Sequence, residues 1–182
     1  MDIKKIEDAF KQVIEALDIK NIECDLEQTP TRIAESYKEL FYGVEKNPKD
    51  AVKKLFDVEN HNPIVQKNID FYSVCEHHFL PFFGTIDLAY VPDKKILGLG
   101  DVYKIIDILS KRPQLQERLT EEIAKNIFEI AECKGVYIIV KAKHLCLSMR
   151  GEKKENTQII TTASYGIFED DIKKIEIQNL LK

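Results

Sequence analysis

The chain of 182 residues has no apolar run approaching the roughly 20 residues that a membrane-spanning helix needs. It also lacks low-complexity tracts and repeats at the periods of solenoid proteins. Its formal net charge of −4 argues against a general nucleic-acid-binding protein. The first residues, MDIKKIEDAF, lack the apolar core of a signal peptide. We therefore expect a cytoplasmic protein whose partners include neither a membrane nor a nucleic acid.

Cysteine is scarce, with four residues in the chain. Because no export signal is visible, we expect reduced thiols rather than disulfides. Cys24 and Cys133 have no histidine neighbours and are expected to be small buried hydrophobic residues. Cys75 and Cys146, by contrast, each have histidines close by in the sequence. The two pairs are therefore expected to differ in role.

Hydrophobic periodicity predicts a helical beginning. Apolar residues between Ile3 and Leu17 recur every three or four positions, which is typical of an amphipathic helix. The stretch TPTRIAESYKELFYG predicts a second helix, with Thr29 as its N-cap and Gly43 as its stop. We therefore predict a helical N-terminal segment over residues 1–56 and a second domain over residues 57–182.

The rest of the chain mixes strands and helices without an alternating βαβ order. GTIDLAYV alternates apolar and polar residues as a half-buried strand does, and GVYIIVKAK and TQIITTASYGIF predict further strands. Helices are predicted over about residues 101–111 and 114–131, separated near Pro113, and a short helix ends the chain. This order predicts an α+β fold with an antiparallel sheet.

The stretch SVCEHHFLPFFG, residues 73–84, concentrates ligand-type side chains. Cys75 and His78 have the two-residue gap by which a turn directs two side chains at one metal ion. Three protein ligands with one open position are typical of a catalytic zinc, and Cys146 or His144 could supply the third. The alternative is a buried polar turn whose histidines are hydrogen-bonded.

A second polar stretch, KHLCLSMR, covers residues 143–150. An extended conformation would place four polar side chains on one face: His144, Cys146, Ser148 and Arg150. The alternative is an ordinary amphipathic strand with a mixed exposed face, although such faces favour Thr, Lys and Glu over Cys and His. Taken alone, this stretch leaves both interpretations open.

Three separated motifs, SVCEHHFLPFFG, RPQLQERLTEEIA and HLCLSMRG, occur in the order and spacing of GTP cyclohydrolase I. The chain resembles this family from about Thr29 to Phe168. The resemblance implies the tunnelling fold, an antiparallel sheet with two antiparallel helices on one face, and makes residues 57–182 the catalytic domain. It further implies a homo-oligomer, a decamer, with active sites at the subunit interfaces.

The resemblance also implies the chemistry and its residues. The family's zinc ligands correspond to Cys75, His78 and Cys146. The family reaction opens the imidazole ring of GTP at C8, releases formate and forms 7,8-dihydroneopterin triphosphate. His77 and His144 match the family's proton-transferring pair, a role that imidazole suits because its pKa lies near the working pH.

Substrate contacts follow in the same way. Glu117, with Gln116 beside it, matches the family residue that binds the guanine N1–H and 2-amino group, although a glutamate on a helix is more often a solvated charge. Arg150 and Arg32 match ligands of the triphosphate, and Arg32 would serve a neighbouring subunit's site. The product would enter folate-type or deazapurine synthesis.

The segment LGLGDVYKII departs from the family pattern. Members usually have Ser-Lys where this chain has Gly100 and Asp101, and Arg where it has Lys104. A carboxylate facing a triphosphate is repulsive, so Asp101 points away or pairs with a lysine, or the polyphosphate is held differently, or the substrate carries fewer phosphates. The alternative function is therefore a family member that acts on a less phosphorylated guanine nucleotide or stops at the formamidopyrimidine.

Overall fold

The structure is a computed structural model that describes residues 1–19 and 26–181. Cys24 lies outside the described residues. The chain divides into two compact units, Met1–Tyr42 and Gly43–Lys182. The sequence-based boundary after residue 56 was placed where the catalytic domain is expected to begin. Compactness alone does not test that boundary, which stays a prediction.

The first unit consists of α1 (Ile3–Ala16) and α2 (Thr29–Leu40), which pack against each other. The ring of Phe10 meets that of Tyr37 edge to face, with centroids 5.5 Å apart. Thr29 proves to be the first residue of α2 rather than its N-cap, and α2 ends before Gly43. The shift is small because Pro30 still lies in the first turn, where its missing N–H leaves no helical hydrogen bond unmade.

The second unit contains the sheet and the remaining helices of the described chain. In chain order its elements are β1 (Leu55–Asp57), β2 (Ile64–Cys75), β3 (Pro81–Val91), β4 (Lys95–Leu97), α3 (Leu99–Ser110), β5 (Pro113–Gln114), α4 (Gln116–Ala131), β6 (Gly135–His144), α5 (Leu145–Ser148), β7 (Ile159–Gly166) and α6 (Asp171–Leu181). Short 3-10 turns cover Tyr42–Glu45, Pro48–Ala51 and Ile167–Glu169. Among the described residues, no helix combines the length and the apolar character that a membrane span requires.

The main sheet has the strand order β5-β2-β3-β6-β7 among the described residues. The neighbours pair antiparallel, except that the two-residue strand β5 pairs parallel with β2. Strands β1 and β4 form a separate antiparallel pair. The predicted α+β fold with an antiparallel sheet is therefore confirmed, apart from the short parallel addition at one edge.

Side-chain alternation along β6 divides the core into two layers. Val136 and Ile138 belong to the cluster that contains the buried side chains of α3 and α4. Tyr137, on the opposite face, packs with Ile177 and Leu181 of α6. Because successive strand residues point to opposite faces, α3 and α4 share one face and α6 covers part of the other. This is the tunnelling-fold arrangement of two helices on one face that the resemblance implied.

The central strand β3 brings the two polar stretches together. At its beginning it pairs with the end of β2, through Pro81 and Val74. One residue further on, Phe82 pairs with His144 at the end of β6. The turn after Cys75 and the segment after His144 therefore leave the sheet side by side.

Cys133 follows α4 in the core and is 5% exposed. Burial raises its pKa to about 11, so about one thiol in a thousand is ionised at pH 8. We expect Cys133 to resist alkylation by iodoacetamide in the native protein at pH 8 and to react in denaturant, as read by peptide mass spectrometry. Equal labelling in both conditions would contradict its assignment as a core residue.

Candidate functional site

Three side chains with metal-ligand chemistry converge at the end of the sheet. The ligand atoms of Cys75, His78 and Cys146 all lie within 4.8 Å of one another. Tetrahedral zinc holds sulfur at about 2.3 Å and nitrogen at about 2.0–2.1 Å, which sets neighbouring ligand atoms about 3.5–3.8 Å apart. A small closing movement would reach that geometry, so these residues could hold a metal ion. The predicted convergence of the three residues is confirmed.

A tight turn at the end of β2 directs Cys75 and His78 to the same side. The N–H of Cys75 donates to the carbonyl oxygen of Leu80, and the N–H of Phe79 donates to that of Cys75, each at 2.9 Å. Phe79 adopts a left-handed conformation with φ of +52°, which residues with a side chain rarely occupy. The turn from Cys75 to Leu80, called the metal turn below, is thus held by backbone bonds and includes one strained residue.

Cys146 reaches the site from a helical turn and not from a strand. The extended conformation predicted for residues 143–150 is wrong beyond His144, because α5 covers Leu145–Ser148. The ladder between β6 and β3 ends at the pair of His144 and Phe82, so β6 has no partner on β3 for its next residues. The released chain bonds locally instead, with the N–H of Met149 donating to the carbonyl of Leu145 at 3.0 Å.

Cys75, His78 and Cys146 are called the metal group below, and the surroundings of Cys146 favour its protonated thiol. Burial raises the pKa of the Cys146 thiol, the adjacent Cys75 raises it further, and the charge of Arg150 opposes both. A metal ion binds the thiolate, so binding must release protons. Metal affinity at this group should therefore fall as the pH falls.

His144 is held in one orientation by Gln116. The side chain of Gln116 is 1% exposed, and its amide nitrogen lies 3.1 Å from three acceptors, two backbone carbonyls and the hydroxyl of Thr161. Its amide oxygen must therefore face His144 Nε2, which lies 2.7 Å away. Gln116 accepts the Nε2–H, which makes Nδ1 the nitrogen that can take up a proton in the neutral ring.

The environment of His144 favours the neutral ring. Burial lowers the pKa of His144, while the charge of Glu117 acts against this. The ring also stacks on Phe82, with centroids 4.7 Å apart and planes 6° apart. The predicted contact of Gln116 with guanine stays a prediction, but its side-chain amide is committed to His144 and to the strands.

Two further predicted residues lie beside the metal group. His77 follows Glu76 in the metal turn, and its side chain is 63% exposed. Glu117 lies in the first turn of α4, where its carboxylate is exposed.

The predicted phosphate ligands belong to different elements of the chain. Arg150 follows α5 and is exposed, close enough for its charge to act on Cys146. Lys104 lies in the middle of α3, where its ammonium pairs with Asp101 at 3.0 Å. Arg32 belongs to the first unit, where it donates to the side-chain oxygen of Gln28 at 3.2 Å.

The two motifs are joined by a set of residues that the sequence alone did not indicate. Arg118 of α4 pairs with Glu76 of the metal turn and also contacts Gln114. Both charged residues stand inside the motifs already singled out, and their opposite charges were the available signal. Only the fold shows that they meet, since they are 42 positions apart.

The similarity of this chain to known proteins identifies its family. The model of the family described as GTP cyclohydrolase I matches residues 6–181. The chain belongs to the GTP cyclohydrolase I family. It is 61% identical to GTP cyclohydrolase 1 of Fusobacterium nucleatum, over 100% of this chain and 98% of that protein. It is 42% identical to GTP cyclohydrolase 1 of Clostridium kluyveri, over 98% and 95% of the two chains.

The family resemblance inferred from the motifs is thereby confirmed, and the chain is an enzyme of the GTP cyclohydrolase I family. Among solved structures, an apo archaeosine synthase of the QueF-like type has a TM-score of 0.47 and 16% identity, covering 59% of this chain and 97% of that one.

Replacing Cys146 tests the metal group. We expect Cys146→Ala to reduce metal affinity by more than the roughly 10–100-fold typical of changes outside the ligand set, because it removes a ligand atom. Cys133→Ala is the matched control, since this thiol is buried elsewhere in the core. The metal content of both variants is measured by elemental analysis after dialysis. Full occupancy in Cys146→Ala would contradict the ligand assignment.

Proposed function

We propose that this enzyme is a zinc-dependent hydrolase that opens the imidazole ring of GTP at C8, releases formate and forms 7,8-dihydroneopterin triphosphate. The observation that carries the proposal is the convergence of Cys75, His78 and Cys146 beside His144 in a member of the GTP cyclohydrolase I family. The names of its relatives point to the same substrate.

Zinc fits the donor set. Two thiols and one imidazole are ligands that zinc prefers, and three protein ligands leave one position for water or substrate. When bound, zinc supplies Lewis-acid activation of water for attack at C8. Cys75, His78 and Cys146 would hold it, and the reduced thiols that this requires accord with a cytoplasmic location.

His144 and His77 supply the proton transfers that ring opening needs. His144 is the more constrained of the two, because Gln116 fixes its Nε2–H and leaves Nδ1 as the basic nitrogen. A neutral ring can accept a proton as water adds at C8 and return it when the ring C–N bond breaks. His77, exposed on the metal turn, has the freedom to serve the later steps on the ribose.

Glu117 would recognise the guanine base. Its carboxylate can accept bonds from the N1–H and the 2-amino group together, a two-point contact that only guanine offers among the common bases. Gln116 places Glu117 near His144, since the two residues adjoin at the start of α4. Glu117 would thereby hold the base at a set distance from the imidazole ring of His144.

A shared site between copies of the chain accounts for the phosphate ligands. Helix α3 has 12 residues and is therefore roughly 18 Å long. Its end leads through Gln114 to Cys75, and Lys104, the sixth of its residues, lies at mid-helix. Family membership carries the proposal of a homo-oligomer, a decamer, in which Arg32 serves a neighbour's site while Arg150 serves its own, with Lys104 as a further phosphate ligand.

The pairing of Asp101 with Lys104 bears on the phosphate state of the substrate. Of the alternatives raised by the sequence, the structure has the carboxylate bonded to this lysine at 3.0 Å. The pair is neutral overall where the usual family residues would carry two positive charges. This observation favours, as the second candidate function, a preference for a guanine nucleotide with fewer phosphates.

The proposed reaction is tested by product analysis. Zinc-loaded protein is offered GTP, GDP, GMP and guanosine in parallel, and products are identified by mass spectrometry, with a chelator-treated sample as the control. We expect formate and 7,8-dihydroneopterin triphosphate from GTP. Turnover of only the less phosphorylated nucleotides, or accumulation of the formamidopyrimidine, would replace the main proposal by its alternative.

The Asp101–Lys104 pair is tested by reversing one charge. We expect Asp101→Lys to lower the KM for GTP about fivefold relative to that for GDP, because it removes a repulsive charge and adds an attractive one. Asp101→Asn should give a smaller change in the same direction. Asp171→Lys is the matched control, because Asp171 begins α6 and also faces a lysine three positions on, Lys174 at 3.8 Å. Equal effects of the two lysine variants would refute a specific role for Asp101.

A further inference from the structure

Glu76, Gln114 and Arg118 form a closed ring of hydrogen bonds beside the metal turn. The backbone N–H of Glu76 donates to the carbonyl oxygen of Gln114 at 3.0 Å. Arg118 Nε donates to the side-chain oxygen of Gln114 at 2.8 Å. Arg118 Nη2 closes the ring by pairing with the carboxylate of Glu76. The ring joins the residue next to Cys75 to the first turn of α4.

The ring is anchored on a rigid part of the molecule. Gln114 is buried, pairs with Cys75 across β5 and β2, and donates to the carbonyl of Leu109 at 3.0 Å and to Glu122 at 2.9 Å. Arg118 Nη2 also donates to the carbonyl of Pro113 at 3.2 Å. The guanidinium is therefore fixed by three separate groups, and its position does not depend on Glu76 alone.

The charges of this ring contribute little to overall stability. The side chains of Arg118 and Glu76 are 42% and 30% exposed, and exposed ion pairs are weak because water and salt screen them. A fixed guanidinium can nevertheless restrict a neighbouring turn. The metal turn contains two of the three metal ligands, and it includes the strained residue Phe79.

We propose that Arg118 is a positioning residue for the metal site, acting through Glu76 to hold Cys75 and His78 in the conformation that binds the ion. This inference rests on the metal site of the proposed function. Residues that orient the ligands of a metal typically change its affinity about 10–100-fold when they are removed. Arg118 is adjacent to Glu117, so the same ring sets the spacing between the metal group and the guanine-binding carboxylate.

The test is a double-mutant cycle on metal affinity, which needs no turnover. The variants are Arg118→Gln, Glu76→Gln and the combination of both, each assayed for Zn²⁺ by competition with a chromophoric chelator. We expect each single variant to weaken Zn²⁺ binding about 10–100-fold and the double variant to be no weaker than the weaker single variant. The Zn²⁺ affinity of Arg118→Lys should lie between those of the wild type and Arg118→Gln. An ammonium keeps the positive charge but cannot form hydrogen bonds to all three groups in one plane.

Lys125→Gln is the matched control, because Lys125 lies on the same helix in an exposed pair with Glu129. It should leave Zn²⁺ affinity unchanged. The melting temperature of each metal-free variant should stay close to that of this control, which separates positioning from loss of the fold. The absorption of the Co²⁺-substituted protein, which reports thiolate ligation, should shift in Arg118→Gln and not in the control.

The outcomes separate this inference from the function on which it rests. If the wild-type protein binds no metal, the proposed function fails and the inference fails with it. If the wild type binds Zn²⁺ and both single variants bind it equally well, the inference alone is overturned. Fully additive losses in the double variant, or losses matched by an equal drop in the metal-free melting temperature, would also overturn it.

Discussion

The register of β3 between its two neighbours is the constraint on which the site depends. β3 pairs with β2 through Pro81 and Val74 and with β6 through Phe82 and His144. A slip of one residue on either side would turn every side chain of the slipped strand to the opposite face. The register is fixed by the buried faces, because the side chains of β3 and β6 that face α3 and α4 are almost fully buried. Core packing far from the site therefore sets where the metal turn and α5 meet.

The first turn of α4 is the second organising element. Successive helical residues point about 100° apart, so Gln116, Glu117 and Arg118 project in three directions. Gln116 is buried against the strands and grips His144, whereas Arg118 reaches the metal turn. Glu117 lies between these two anchors and remains exposed. The first turn of α4 thus contacts both the metal turn and the end of β6, and it also contains the residue proposed to bind the guanine base.

Much of this arrangement followed from the sequence, and the exceptions have a common cause. Local periodicity identified the strands and helices, and the gap between Cys75 and His78 indicated a metal group that the structure assembles. The role of Gln116 could not be read locally, because its partners lie 24 to 45 positions away. The helical turn at Cys146 was missed for a similar reason, since alternation of polar and apolar residues does not reveal where a neighbouring strand ends.

Two different requirements act on the residue at position 101. The start of a helix favours a carboxylate, whereas a phosphate-binding site favours a lysine. Asp101 lies in the first turn of α3, where a carboxylate is favoured by the helix dipole and a lysine is disfavoured. The lysine that family members usually have at this position would therefore be unfavourable for the helix itself. The phosphate contact that the resemblance implies would be the reason for a lysine there. In this chain the local preference is satisfied, and Lys104 is bonded to Asp101 instead of presenting an unpaired charge. A side chain at Gly100 would meet no steric obstacle, since none of the described residues beyond its own stretch of α3 lies within 4 Å of where a Cβ atom would stand. Under the proposed function, the hold on a polyphosphate would therefore come chiefly from Arg150 and, in the proposed assembly, from Arg32 of a neighbouring copy.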